Sequence, residues 1–163
     1  MASPGPFSRL EGVERTLTVT SAGTLDLTLD GNPVRLDRTS APLRFSGEAA
    51  VASEIPDGPV RDLNVMTRLG RAEHAVESIR LNEPLDVAPG SELLSIFVAD
   101  GVVATEGACR ERLGTGDTLL VERGAEMLRL KPSGAHGPSH VILIRLRKTA
   151  VDLRRDGVES ASG

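Results

Sequence analysis

Alternation of apolar and polar residues is the dominant pattern along this chain. It is cleanest over residues 24–29, directly before the turn sequence Asp30-Gly31-Asn32. Such alternation predicts a strand with one buried and one solvated face, running into a hairpin turn. The side chains predicted to be buried are Leu25, Leu27 and Leu29, and those predicted to face solvent are Thr24, Asp26 and Thr28.

Similar short runs recur along the whole chain, and nearly every gap between them holds Gly, Pro, Asn or Asp. Many short strands separated by turn residues are typical of a β-sandwich or barrel. No segment predicts a helix longer than a turn or two. The further predicted strands are 16–21, 34–36, 43–45, 50–55, 60–66, 75–81, 93–99, 102–105, 109–113, 118–122, 127–130 and 141–147.

A weak internal repeat divides the chain into two halves. The segment that starts at Ser21, followed by Ser40-Ala41, aligns with the segment that starts at Ala99, followed by Gly116-Asp117. Both halves then predict the same succession of strands and turns. We therefore expect one half over residues 1–70, a second over 71–153, and a disordered polar tail over 154–163.

Composition excludes several classes of partner. The chain has three Phe, no Trp and no Tyr, so it lacks the aromatic platforms that single-stranded nucleic acid needs. Its net charge of -4 further disfavours nucleic acid and anionic membranes. The single cysteine cannot form an internal disulfide, and no signal peptide or membrane-spanning run is present in these 163 residues. We therefore expect a cytoplasmic protein whose partners are small molecules or proteins.

Residues suited to metal binding or covalent catalysis are sparse. His74 stands alone, and His136 and His140 flank a Gly-Pro pair that cannot present both rings on one helical face. We interpret all three as loop histidines and expect no metal and no other cofactor. Cys109 is interpreted as an ordinary strand residue between solvated charges. The chain contains no Gly-x-Ser-x-Gly elbow, P-loop or dinucleotide fingerprint.

Arg15 is the first candidate binding residue. If the strand alternates regularly, Arg15 shares a face with Leu17 and Val19, so its guanidinium points into the apolar interior. A buried charge requires a partner. Two roles stay open: a structural ion pair with a carboxylate such as Asp62 or Glu48, or a bidentate clamp on a ligand carboxylate.

The segment 57–66 supplies the other candidates. After an Asp-Gly-Pro turn, alternation gives two mixed faces, one with Val60, Asp62, Asn64 and Met66 and the other with Arg61, Leu63 and Val65. A strand with apolar residues on both faces is expected to be central in its sheet, with at least one of Asp62 and Asn64 buried and hydrogen-bonded. The amide of Asn64 could fix a carboxylate or amide ligand, or it could bridge strands.

Three ordered blocks carry a resemblance to a known family. The chain reads GPFSRLEGVERTL over residues 5–17, RFSGE over 44–48 and DGPVRDLNVM over 57–66. These blocks resemble the G-P-F-S, F-x-G-(D/E) and D-G-P-(V/I)-R-D motifs of the HutD/Ves family. They cover residues 5–68 well, whereas the second half resembles the family only in pattern, with Gly116-Asp117 similar to the second conserved block of many cupins.

The resemblance implies an all-β bicupin fold, with two fused cupin-like halves. It also implies a role in bacterial histidine utilisation or stress response, in which the protein binds formylglutamate or a related small carboxylate. Members of this family are not established enzymes. Family members usually carry a P-W-K-N-G-G-G segment ahead of the first block, so the first half is expected to be shortened here. The positions matched to the family motifs are Arg15, Asp62 and Asn64 for ligand binding, with Phe45, Gly47 and Met66 as pocket wall.

Three functional hypotheses follow. The first is a non-enzymatic binding protein in which Arg15 and Asn64 hold a small carboxylate. The second is a metal-independent cupin enzyme, an isomerase or hydrolase, with Asp62 as acid or base beside Arg15. A carboxylate next to an arginine is held ionised and is a poor proton donor, which favours the binding hypothesis over this one. The third is a structural domain that forms a homodimer through the second half, because bare β edges need cover.

Overall fold

A computed structural model describes residues 5–134 and 137–149. These residues form strands and turns, without a helix, as the sequence pattern predicts. The fifteen strands are β1 (Gly5–Pro6), β2 (Val13–Val19), β3 (Leu25–Leu29), β4 (Asn32–Leu36), β5 (Leu43–Ser46), β6 (Val51–Glu54), β7 (Asp62–Arg68), β8 (Ala72–Leu81), β9 (Leu85–Val87), β10 (Leu93–Asp100), β11 (Val102–Gly107), β12 (Arg112–Gly114), β13 (Thr118–Val121), β14 (Leu128–Pro132) and β15 (Ser139–Lys148).

Two antiparallel sheets are built from β1 to β7. One has the strand order β1-β6-β3-β4 and the other the order β5-β2-β7. Their inner faces enclose an apolar core that includes Leu17, Leu25 and Phe45. The alternation over 24–29 places Leu25 and Leu27 in this core at 0% and 2% exposure, while Leu29 is half-buried and Thr28 is exposed.

Two further sheets are built from β8 to β15, and they repeat the topology of the first pair. The order β9-β14-β11-β12 corresponds to β1-β6-β3-β4, and β13-β10-β15-β8 corresponds to β5-β2-β7 with one added strand, β8. The turn at Gly116-Asp117 precedes β13 as Ser40-Ala41 precedes β5. The predicted repeat is therefore confirmed, and the first half contains no described counterpart of β8.

The two halves pack through the outer faces of the sheets that contain β7 and β15. Leu63 and Val65 of β7 contact a cluster that includes Ile142 and Ile144 of β15. This packing corrects the interpretation of the strand over 60–66. It lies at the edge of its sheet, not at the centre, and its second face is apolar because the other half covers it.

Other differences from the prediction are local. The strand predicted over 109–113 begins only at Arg112, so Cys109 lies in the preceding loop, half-buried, with its Sγ 3.7 Å from Thr105 Oγ1. The short strands β1 and β9 escape a pattern search because they span two and three residues. The division of the chain near residue 70 stays a prediction, and the predicted tail over 154–163 lies outside the described residues.

None of the described segments is a helix of the length and hydropathy needed to cross a bilayer.

Candidate ligand-binding site

Arg15 is the centre of the candidate site. Strand alternation places it on the inner face of β2 with Leu17 and Val19, and pairing sets it opposite Phe45 of β5 and Met66 of β7. Only 6% of the residue is exposed. The inward orientation that the sequence predicts for this arginine is therefore present in the structure.

The guanidinium of Arg15 is held by few polar partners. Nη2 donates to Asn64 Oδ1 at 3.1 Å, and Nη1 donates a long bond of 3.4 Å to the Ser8 carbonyl. Nε is buried and makes no hydrogen bond within the described residues. An arginine has five N–H donors, so much of its hydrogen-bonding capacity is left for a ligand.

Two aromatic rings flank the same guanidinium. Its central carbon lies 4.9 Å from the ring centroid of Phe7 and 5.3 Å from that of Phe45. Such cation–π contacts stabilise a charge where hydrogen-bond partners are scarce. They also fix the plane of the guanidinium, which prepares it for planar recognition of a carboxylate.

Asp62 and Asn64 form a chain of contacts with Arg15. Asn64 Nδ2 donates to Asp62 Oδ2 at 2.7 Å, while Asn64 Oδ1 accepts from Arg15. Asn64 thus orients the guanidinium, and Asp62 orients Asn64. Burial lowers the pKa of Arg15, and the nearby negative charge of Asp62 partly opposes this effect. Glu48, the other carboxylate considered as a partner, instead accepts the Gly12 N–H at 3.1 Å.

A cavity of about 430 Å³ opens next to these groups, which is large enough for a small organic acid. It contains all three predicted binding residues and one predicted wall residue, Met66, which is 43% exposed. The sequence analysis missed three others, although they belong to the block over 5–17. The lining residues are Phe7, Ser8, Leu10, Arg15, Asp62, Asn64 and Met66.

The two remaining wall residues act from behind the cavity surface. Phe45 lies in the core beneath the guanidinium. Gly47 accepts the Leu10 N–H at 2.8 Å and donates to the Val13 carbonyl at 2.7 Å. A Cβ at this position would lie 2.5 Å from the Leu10 carbonyl oxygen, so only glycine permits this close approach. Gly47 therefore positions Leu10, which lines the cavity.

The loop interpretation of the histidines is wrong for the two that the structure describes. His74 lies in β8, where its two ring nitrogens hydrogen-bond Thr16 Oγ1 at 2.8 Å and Thr67 Oγ1 at 2.7 Å. His140 lies in β15, and its Nε2 bonds Ser78 Oγ at 2.7 Å. Both are at most 4% exposed.

The misplacement of these histidines has a local cause. The polar stretch over 67–73 holds the end of β7, a tight turn and the start of β8, so β8 already begins at Ala72. Likewise β15 begins at Ser139, directly after Pro138. His136 lies outside the described residues. Within residues 5–134 and 137–149, no three His, Cys, Asp or Glu side chains are grouped as a metal site.

Burial of the two histidines predicts a pH dependence of stability. Burial is the main cause that lowers the pKa of both His74 and His140 below 6.5. The positive charge of Arg44 lowers the pKa of His74 further, and Glu14 partly opposes this shift. For His140, Arg80 lowers the pKa further and Asp100 partly opposes the shift. The unfolded chain then binds more protons than the folded chain, so unfolding is favoured as pH falls below about 6.5. We expect the melting temperature to be constant from pH 8 to 7 and to decrease from pH 6.5 to 5.

Glutamine substitution tests this assignment. His140→Gln and His74→Gln should each flatten the decrease between pH 6.5 and 5, although either variant can be less stable at pH 7.5. Carboxylates such as Asp26 and Asp86 also have lowered pKa values, but their ordinary pKa is 3.8, so they affect stability only at a lower pH. An unchanged slope in both variants would show that other groups cause the dependence.

Comparison with known proteins identifies the class of fold and then the family. A cupin 2 conserved barrel domain protein from Leptotrichia buccalis matches with a TM-score of 0.54 and 11% identity, over 90% of this chain and 80% of that one, which supports a cupin-type fold. HutD from Pseudomonas fluorescens SBW25, in a formate condition, matches with a TM-score of 0.73 and 24% identity, over 92% of this chain and 76% of that one.

The HutD family profile matches residues 1–137, and the chain therefore belongs to the HutD family. An uncharacterized 21.2 kDa protein in the hutC 3′ region of Pseudomonas putida is 31% identical over 132 residues, which cover 80% of this chain and 68% of the relative. Protein Ves of Escherichia fergusonii is 26% identical over 118 residues, which cover 67% of this chain and 60% of Ves. The resemblance to the HutD/Ves family and the bicupin architecture are thus confirmed.

Proposed function

We propose that this HutD-family protein binds a small carboxylate in the cavity of its first half and does not transform it. The observation that supports the proposal is a buried guanidinium that lines a cavity with its Nε unpartnered among the described residues. A free N–H in a low-dielectric site is costly unless a ligand satisfies it. A carboxylate that enters the cavity can accept from the guanidinium of Arg15 in one bidentate contact.

The surrounding residues give this site its selectivity. Asn64, held by Asp62, keeps the guanidinium in place, while Phe7, Leu10 and Met66 supply apolar surface for the body of the ligand. The small cavity favours acids of a few carbon atoms, such as formylglutamate, glutamate, urocanate and formate. A cytoplasmic role connected with histidine utilisation is part of this proposal, and its support is the kinship with the hutC-region protein.

A thermal-shift titration with these four acids tests the proposal. A ligand at 100 times its dissociation constant stabilises the folded state by about 2.7 kcal/mol, so at least one acid should raise the melting temperature. The matched control is the same compound with every carboxyl group converted to an amide or methyl ester, which has no carboxylate and should give no shift.

Two outcomes would contradict the proposal. The absence of any shift at millimolar concentration of all four acids would remove the binding function. A new product in the proton NMR spectrum after incubation would support the rival hypothesis, in which Asp62 transfers a proton beside Arg15.

A further inference from the structure

One face of β7 carries a row of side chains that continues beyond the carboxylate cavity. Asp62, Asn64, Met66 and Arg68 alternate along this face, and the first three line the cavity together with Arg15. Met66 pairs with Arg15 across the strands, and Arg68 is the next residue of the row. Because alternate residues of a strand are about 7 Å apart, Arg68 lies about 7 Å further along β7 than the level of Arg15.

Met66 is the residue of this row that separates the two arginines. It is 43% exposed at the surface of the carboxylate cavity, and it also lines a neighbouring cavity of about 450 Å³ together with Arg68. None of the described residues that line this neighbouring cavity is acidic. A flexible apolar thioether thus lies between one arginine inside the carboxylate cavity and another just outside it.

Arg68 differs from the arginines that stabilise the sheets. Those arginines form ion pairs with a carboxylate on a neighbouring strand, whereas Arg68 lies opposite Val13 of β2, which carries no charge. Within residues 5–134 and 137–149 the guanidinium of Arg68 makes no ion pair. The stabilising pairs are Arg35–Asp26, Arg44–Glu14, Arg129–Asp86 and Arg147–Glu73.

We propose that Arg68 binds the second carboxylate of a dicarboxylate ligand whose first carboxylate lies on Arg15. The carbon chain of the ligand lies over Met66, and an extended chain of about five to seven carbon atoms spans the separation along the strand. Arg68 is then a specificity residue that favours dicarboxylates over monocarboxylates of the same length. This inference rests on the carboxylate site proposed above and adds the class of acid that the site selects.

The contribution of Arg68 to affinity should be smaller than that of Arg15. Arg68 is exposed, and exposed charge pairs are weak and are screened by salt. The guanidinium of Arg15 is buried, so its contact with a carboxylate is screened much less. We therefore expect a dicarboxylate to bind about three- to tenfold more tightly than the matched monocarboxylate.

Isothermal titration calorimetry of the full chain tests this inference with three matched pairs of acids. The dicarboxylates are glutarate, adipate and pimelate, and the monocarboxylates of the same length are pentanoate, hexanoate and heptanoate. At low ionic strength, at least one dicarboxylate should bind about threefold or more tightly than its matched monocarboxylate. This difference should decrease in about 0.5 M sodium chloride, because the second contact is exposed.

Substitutions separate the roles of the two arginines. Arg68→Gln should remove the difference between the matched acids and leave monocarboxylate affinity within about twofold, whereas Arg15→Met should weaken both classes. Arg68→Lys keeps the charge and should retain most of the difference. The matched control, Arg61→Gln, changes an exposed arginine on the opposite face of the same segment and should retain the full difference.

The outcomes distinguish this inference from the proposed function. Equal affinity for dicarboxylates and monocarboxylates in all three pairs would overturn the role of Arg68 and leave carboxylate binding at Arg15 intact. An equal loss of both classes in Arg68→Gln would also overturn it, because Arg68 would then support the site without contacting the second carboxylate. If none of the six acids binds, the proposed function fails and this inference fails with it.

Discussion

The Arg15→Met variant is expected to lose carboxylate binding while it keeps its fold. Methionine retains much of the apolar stem, and the change removes a buried charge whose Nε has no described partner. The free energy of unfolding should change by less than about 1 kcal/mol, since the hydrogen bonds lost to Asn64 and Ser8 are offset by the removal of a desolvated charge. The ligand-induced thermal shift should disappear, since a loss of about 1.4 kcal/mol already weakens a complex tenfold.

The control for this variant is Arg44→Met. Arg44 lies on β5 of the same sheet and pairs with Glu14 at the surface, so the substitution makes the same change in charge away from the cavity. It should retain the thermal shift. The clamp hypothesis would be wrong if Arg15→Met loses about 3 kcal/mol or more of stability and Asp62→Leu restores part of it in the double variant.

Phe45→Ala is expected to have the largest effect on stability. Phe45 is 8% exposed, packs in the first core and supports the guanidinium of Arg15. Truncation of a buried phenylalanine costs about 3 to 5 kcal/mol. Urea unfolding followed by circular dichroism measures this loss in a chain without Trp or Tyr.

Phe45→Leu separates the packing of the ring from its electrostatic contact. Leucine refills most of the volume, so we expect less than half of the stability loss of Phe45→Ala, while the contact between the ring and the guanidinium is absent. Carboxylate affinity should then fall in Phe45→Leu even where stability is largely restored. Equal stability of the alanine and leucine variants would contradict the importance of packing at this position.

Sequence patterns predicted the fold because this fold depends on local alternation. Leu25 and Leu27 occupy the core as their period-two pattern requires, and the turn residues mark nearly every strand boundary. The inward direction of Arg15 follows from the same rule. The edge position of β7 could not be predicted. Its apolar outer face suggested a central strand, but that face is buried by β15, which lies about 80 residues further along the chain.

The candidate site was only partly predictable for a similar reason. Arg15, Asp62 and Asn64 lie on two neighbouring strands, so motif and alternation together place them near one another. Phe7, Ser8 and Leu10 reach the cavity through a loop whose path depends on the contact of Gly47 with Leu10. The buried His74 was misread because its two threonine partners belong to the other half, and no local pattern reports such a contact.

The long pairing of β8 with β15 has a consequence for chain connectivity. It runs from Ala72↔Lys148 to Leu81↔Ser139, and Thr149 N donates to the Arg71 carbonyl at 2.9 Å, so the entry and exit of this region lie side by side. A short linker could join residue 149 to residue 71, and new termini could then be placed in a turn far from this junction. No strand pair of the second half would be broken by this change. Circular permutation of the second half should therefore be tolerated.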